Sequence, residues 1–305
     1  MQFNLRKIAA VLVFSLLSAQ SYSQIFSDPA KPAFARRYTI GETYRYKLVL
    51  NEYNNGELQF TNISVCELHV IDSNRMAYDE VRWLSKKMIR GKDTIDQTPM
   101  AVSAKPYRLS LAGFGKVDLP KIEKPEMTEP LQDFNTFFAA INPGFSMMGK
   151  RFTQVGDSVA MKSPTRGNFS NGSTIPRGED CLSIGVKITG ATDKETHLYS
   201  SFMPSAKPCF SFILNDMNTP VVPGSPNNFQ MVSPAGNNLF NLMYGREFFY
   251  INTTLRNADG KILHAEMYNQ LNVKIKHNCD GNYQGCQVET PFGEVRKLTL
   301  ELLAD

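Results

Sequence analysis

The chain has 305 residues, with 33 Lys and Arg against 29 Asp and Glu and a formal net charge of +4. Two of its positive charges, Arg6 and Lys7, lie at the extreme N-terminus, so the remainder is nearly neutral. That balance excludes nucleic acid as a partner, which needs a concentrated basic face, and leaves no polybasic segment for an anionic membrane.

The first 23 residues predict a signal peptide. Arg6 and Lys7 precede an apolar run, Ile8 to Leu17, broken only by Ser15. Ser21 and Ser23 then place small side chains before a cut ahead of Gln24. The run is far shorter than the roughly 20 residues a spanning helix needs, so an uncleaved anchor is the weaker reading. The expected location is periplasmic or extracellular, with residues 24–305 as the mature, secreted chain. Residues 24–37 carry Pro29 and Pro32 without periodicity and read as a lead-in. Residues 38–305 read as a single β-rich domain, with a subdivision point near 120–150.

From Gly41 onward, Tyr44, Tyr46, Leu48 and Leu50 alternate with polar residues, and Asn55-Gly56 marks a hairpin turn. On the return strand Leu58, Phe60, Cys66, Leu68 and Val70 share one parity, and residues 75–88 predict a third strand. A proline-rich connector leads to the one convincing helix, about 128–142. Thr128 can cap it, Pro130 suits its first turn, and Leu131, Phe134, Phe138 and Ile141 form its apolar face. Asn142-Pro143-Gly144 is expected to end it. From 160 to 245 long Pro-, Gly- and Asn-rich loops separate short strands, and such loops often border binding sites.

The clearest strand comes late. Leu263, Ala265, Met267, Leu271, Val273 and Ile275 share one face, with Asn269 the single exception, and His264, Glu266, Tyr268 and Lys274 occupy the other. "VRKLTLELL" follows, with Leu298, Leu300 and Leu302 on one side. Long amphipathic strands with one short helix predict a mainly β fold: a curved open or half barrel of antiparallel strands, or a sandwich. In architecture this resembles the periplasmic lipoprotein-carrier half barrel of Gram-negative bacteria, and Gln24 as a new N-terminus is similar to that of many exported proteins of such bacteria. No family motif accompanies the likeness.

Catalytic signatures fail on spacing. His264-Ala265-Glu266 matches half of a zinc deaminase signature, but Cys279 and Cys286 stand too far apart for the other half. Cys66 and His69 point to opposite faces of a strand, as do the neighbours Asp79 and Glu80. No metal site and no cofactor are indicated. If the protein is an enzyme, its site is built from distant residues, and His264, Glu266 and His277 are the first to test. Thr94 and Ser158 each follow Asp and precede an apolar residue, which resembles the short O-glycosylation sites of some Gram-negative bacteria.

Five cysteines in an exported chain read as disulfide candidates. Cys279 and Cys286 flank a turn-rich segment between strands and are expected to bridge. Cys181 and Cys209 form a second candidate pair, and Cys66 remains a free thiol on the apolar face. The leading expectation is an exported non-catalytic protein that binds an apolar or envelope-derived ligand or a partner protein. The alternatives are a structural or assembly component of the envelope and an enzyme.

Overall fold

The structure, a computed structural model, describes residues 36–73, 76–112, 117, 124–147, 152–162, 167–168, 174–175, 183–202 and 229–304. The expected signal segment and the Cys181–Cys209 pair lie outside them.

The alternating segments form strands. In chain order these are β1 (Thr43–Asn54), β2 (Glu57–Ser73), β3 (Met76–Arg90), β4 (Asp93–Asp96), β5 (Tyr107–Leu109), β6 (Ser158–Lys162), β7 (Gly167–Asn168), β8 (Thr174–Ile175), β9 (Ser183–Ala191), β10 (Glu195–Phe202), β11 (Phe229–Gly236), β12 (Leu239–Arg256), β13 (Ile262–Cys279) and β14 (Val288–Leu302). All join one 14-stranded antiparallel sheet, in which β7 and β8 are only two residues long. The sheet is open and does not close into a barrel. Its main path runs β4-β3-β2-β1-β14-β13-β12-β10-β9-β6. It therefore consists of two meanders joined where β1 pairs with β14, Tyr46 opposite Leu302 and Leu50 opposite Leu298. Asn55 and Gly56, both at positive φ, make the tight turn between β1 and β2.

Inward parity holds as the alternation predicts. Tyr44, Tyr46, Leu48 and Leu50 are buried, as are Phe60, Cys66, Leu68 and Val70 on β2. Leu58 has the same parity but is 53% exposed, because it sits beyond a bulge at the hairpin tip, past the end of the core. Against this face lies α2 (Thr128–Met147); a short α1 (Thr98–Val102) packs on β3. Leu131, Phe134, Phe138 and Ile141 are buried as expected, but so are Phe137 and Ala140 on the other side. The helix is thus wrapped by the sheet. Phe134 meets Tyr46 and Trp83 edge-on, with ring centroids 5.9 and 5.8 Å away.

The helix runs five residues past the expected end near 142 and contains Pro143. Proline removes one intrahelical hydrogen bond. A sheet partner lies in that same turn: the Ser200 hydroxyl on β10 donates to the Ala140 carbonyl at 3.0 Å. Tertiary contact overrides the local stop signal here.

One end of the trough is sealed by the chain just before β1. Arg36, buried, donates to Asp79 at 2.9 Å; Tyr44 donates to the same carboxylate at 2.7 Å. The guanidinium lies 4.0 Å from the centre of the Tyr38 ring. Arg37 and Tyr46 tie the same end to the β12–β13 turn, through Asp259 and Ile262.

At the other end β12, β13 and β14 extend past the helix. β12 changes partner there, pairing with β11 from Leu239 to Gly245 and with β10 from Phe249 onward. A Cβ on Gly245 would fall 2.3 Å from the Asn272 carbonyl oxygen, so the close approach requires glycine.

Candidate functional site

Cross-strand pairing fixes what lies on the concave face beyond the core. Along β14, Leu298, Arg296, Glu294 and Phe292 alternate inward. Opposite them on β13 stand Met267, Asn269, Leu271 and Val273. On β12 the corresponding residues are Ile251, Phe249, Glu247 and Gly245; on β1, Leu50, Glu52 and Asn54. The face therefore changes from apolar to charged and back to apolar within a few residues of each strand.

Among the described residues the charged belt gathers the carboxylates Glu52, Glu129, Asp133, Glu247 and Glu294 with the cations Arg296 and Lys86. Arg296 pairs with Asp133 of α2 at 2.6 Å and lies 3.7 Å from Glu294. Asn269, the parity exception of β13, donates to Glu247 at 3.1 Å and to the Phe248 carbonyl at 3.3 Å. Asn62 on β2 donates to Glu129 at 3.1 Å, and its own carbonyl oxygen is buried without a partner. Lys86 donates to the Glu126 carbonyl. Burial, then the neighbouring Glu294 and Glu129, push the Glu52 carboxyl up to about 7. Burial lifts Asp133 to about 6 against the pull of Arg296, and Glu294 is raised chiefly by burial as well. Burial works against the Arg296 charge, yet Asp133, Glu294 and Glu129 together hold it above its ordinary value. Burial lowers Lys86. Burial, reinforced by neighbouring carboxylates, thus favours the protonated forms of Glu52, Asp133 and Glu294.

Beyond it lies an apolar strip on the same face: Met231, Met243, Leu271, Val273, Ile275 and Phe292. All but Val273 are only partly buried. The arrangement supplies acceptors and apolar surface.

The sequence-predicted residues lie elsewhere. His264 and Glu266 do meet, at 3.3 Å, but on the convex face and largely open to solvent. Glu301 is 4.0 Å from the other ring nitrogen. His277 sits 13 residues further along β13, roughly 43 Å away at the usual strand rise, where it meets Thr290 at 2.9 Å. The three do not form one site. Among the described residues no cluster of His, Cys, Asp or Glu could hold a metal ion. Cys66 is an unpaired, fully buried thiol between Tyr46 and Trp83, pushed far up by burial. Thr94 and Ser158 are both exposed.

Cys279 and Cys286 form the expected disulfide. It does not link two facing strand residues, however. Cys279 ends β13, opposite Phe240 of β12, whereas Cys286 lies in the loop before β14. The bridge draws that loop back over the convex face, where Tyr283 and Cys286 pack with Phe240, Val232 and Leu242.

The belt residues carried a signal in the sequence. Glu52 continues the inward parity of β1, and Glu294 and Arg296 that of β14. Charges on the core parity of an amphipathic strand mark either its end or a buried polar site.

The chain is thus a mainly β protein with an open sheet wrapped around one helix. No family model matches it, and neither does any curated protein. Among solved structures, one of lipovitellin, from work on lipid–protein interactions in lipovitellin, is similar with a TM-score of 0.40 at 10% identity. The match covers 88% of this chain and 26% of that one, so this chain spans about a quarter of its length.

Proposed function

We propose that this is an exported, non-catalytic binding protein whose trough takes up an apolar or envelope-derived ligand. The observation that carries this is the strip of half-buried Met, Leu, Ile and Phe side chains on the concave face beyond the helix. Elsewhere on that face the sheet spends its apolar side chains on α2. Large apolar groups left partly exposed on one contiguous face mark a binding surface. Export is supported by the basic and apolar residues 6–17, the small residues before Gln24 and the disulfide.

The test is extraction of the purified, secreted protein with organic solvent, followed by mass spectrometry. Binding of a fluorescent apolar probe is measured alongside. The wild type is expected to yield an amphiphile or to bind the probe, and Met243→Asp to do neither while keeping its thermal transition. A wild type that releases nothing and leaves the probe dark would sink the reading. N-terminal sequencing of the secreted form is expected to begin at Gln24.

A further inference from the structure

On the face opposite the trough, side chains of β1, β2 and β3 enclose a cavity of about 240 Å³, lined by Thr43, Glu67, His69, Glu80 and Arg82. Strand register brings them together. Glu67 stands opposite Arg82 and His69 opposite Glu80, so these four form the corners of a square on two adjacent strands. At the usual spacings its sides are roughly 7 Å along the strands and 5 Å across them. All four have the parity opposite to the buried Cys66, Leu68, Asp79 and Val81, which places them on the convex side. Thr43, opposite His69 on β1, closes one flank.

The square stays open because its acids are held outward. Arg45 on β1 draws Glu67 one way at 2.8 Å, and Arg108 on β5 draws Glu80 the other way at 3.4 Å. The glutamate side chains are 24% and 25% exposed against 58% and 50% for their arginines, so the acids form the wall and the arginines lie outside it. Each contact uses a single carboxylate oxygen, which leaves the other free to accept. Glu67 is the cross-strand neighbour of Arg82 but pairs with Arg45; among the described residues the Arg82 guanidinium has no ion pair or hydrogen bond. His69 Nδ1 meets the Thr43 hydroxyl at 3.0 Å, and Nε2 is left for the cavity.

Acceptor and donor therefore alternate around the rim, in the order Glu67, Arg82, Glu80, His69. An ionised carboxylate only accepts, and a guanidinium only donates. This pattern disfavours charged ligands. An anion meets two carboxylates, a cation meets Arg82, and a zwitterion finds no separate positive and negative poles. Among the described residues no group of His, Cys, Asp or Glu could hold a metal ion. Hydroxyl groups both donate and accept, so a ring of them matches an alternating rim. The volume lies below the roughly 300–1,000 Å³ of sites for drug-sized ligands, which limits the occupant to one small ring.

We propose that this cavity binds a single neutral sugar unit of a glycan, whose hydroxyls donate to Glu67 and Glu80 and accept from Arg82 and His69. The site is independent of the trough: it lies on the other face of the sheet and shares no residue with it. Hydrogen bonds to ionised side chains are the stronger kind, which offsets the open position of the cavity.

The experiment uses the mature chain with the methyl glycosides of glucose, galactose, mannose and N-acetylglucosamine, and with glycine and inorganic phosphate as charged comparators. Amide NMR spectra read affinity and location together. At least one glycoside is expected to bind with a dissociation constant of about 1–10 mM, shifting amides of residues 43–45, 67–69 and 80–82. Arg82→Ala removes a side chain that pairs with nothing in the fold. It should keep the thermal midpoint and weaken that binding at least about tenfold. Glu67→Gln, which puts a donor where the sugar needs an acceptor, should weaken it as well. Three results overturn the proposal: no glycoside shifts these amides; binding survives Arg82→Ala undiminished; or glycine or phosphate binds more tightly than every glycoside, which would make the cavity a site for charge.

Discussion

Two acids and one arginine decide how the molecule responds to pH. Glu52 titrates at about 7 and Asp133 at about 6 in the folded chain, both above ordinary carboxylate values. A carboxyl raised by folding stabilises the fold fully below its unfolded pKa, and that contribution is lost as pH rises through the folded value. Stability from the belt is therefore complete near pH 4 and fades between about pH 4 and 7. Asp259 and Glu289, whose pKa values are lowered mainly by Arg256 and Lys274 respectively, act in the opposite sense, and their contribution is lost only in stronger acid. Thermal melts should accordingly show a higher midpoint at pH 5 than at pH 8. Glu52→Gln should narrow that gap, by on the order of 1 kcal/mol once solvent screening of this half-exposed group is allowed for. Arg296→Met leaves Asp133 buried without its cation and should cost about 3–5 kcal/mol by urea titration at pH 8, less at pH 5. Adding Asp133→Asn should restore part of it. An unchanged urea midpoint in Arg296→Met would show that Asp133 does not depend on the pair.

At the scale of elements, the strands were the legible part of the sequence. A period of two is hard to mistake when one face is Tyr and Leu and the other carries Arg and Lys, as on β1, or when Ala, Met, Leu and Val alternate with His, Glu, Gln and Lys, as on β13. The end of α2 was hidden because Asn142-Pro143-Gly144 is a local stop, whereas Ser200, almost 60 residues away, is what meets the helix in that turn. The belt was hidden for a related reason. Asn269 stood out as an exception, but its partner Glu247 lies on another strand, and only register brings them together. Two changes test the extension that carries the apolar strip. Gly245→Ala drives a methyl into the β13 backbone and should cost roughly 1–3 kcal/mol, with weakened probe binding. Removing the disulfide by Cys279→Ser/Cys286→Ser should cost about 2–3 kcal/mol on the loop-entropy account. Hydrogen exchange should quicken over residues 274–290 and stay unchanged in α2. Faster exchange in α2 as well would mean that the tip and the core unfold together.

Over the whole molecule, the core, the belt and the strip follow one another along the same concave face, so a single curved sheet both encloses its helix and presents a surface. The half-barrel expectation is met in outline: the sheet is open, and α2 fills one part of the trough. Trp83, the sole tryptophan, stacks edge-on against Phe134 and reports on whether the helix is seated. Its emission should shift to the red together with the loss of far-ultraviolet ellipticity in urea, as one transition. A red shift that precedes the loss of strand signal would show that the helix leaves an intact sheet.

The seam between β1 and β14 has a temporal side. A ribosome, or an export channel, delivers β1 among the first strands and β14 as the last one described, yet the sheet places them side by side at its middle, tied at the end by the Leu303 amide to the Arg45 carbonyl. Until that final segment arrives the chain is two separate meanders, each with a raw inner edge and with no common floor for the helix. Loop closure across some 250 residues must precede the central pairing, a slow step for any polypeptide. A chain halted before Val288 would therefore lack its keystone and not an outer stave, and its exposed edges would be open to chaperones, proteases and aggregation.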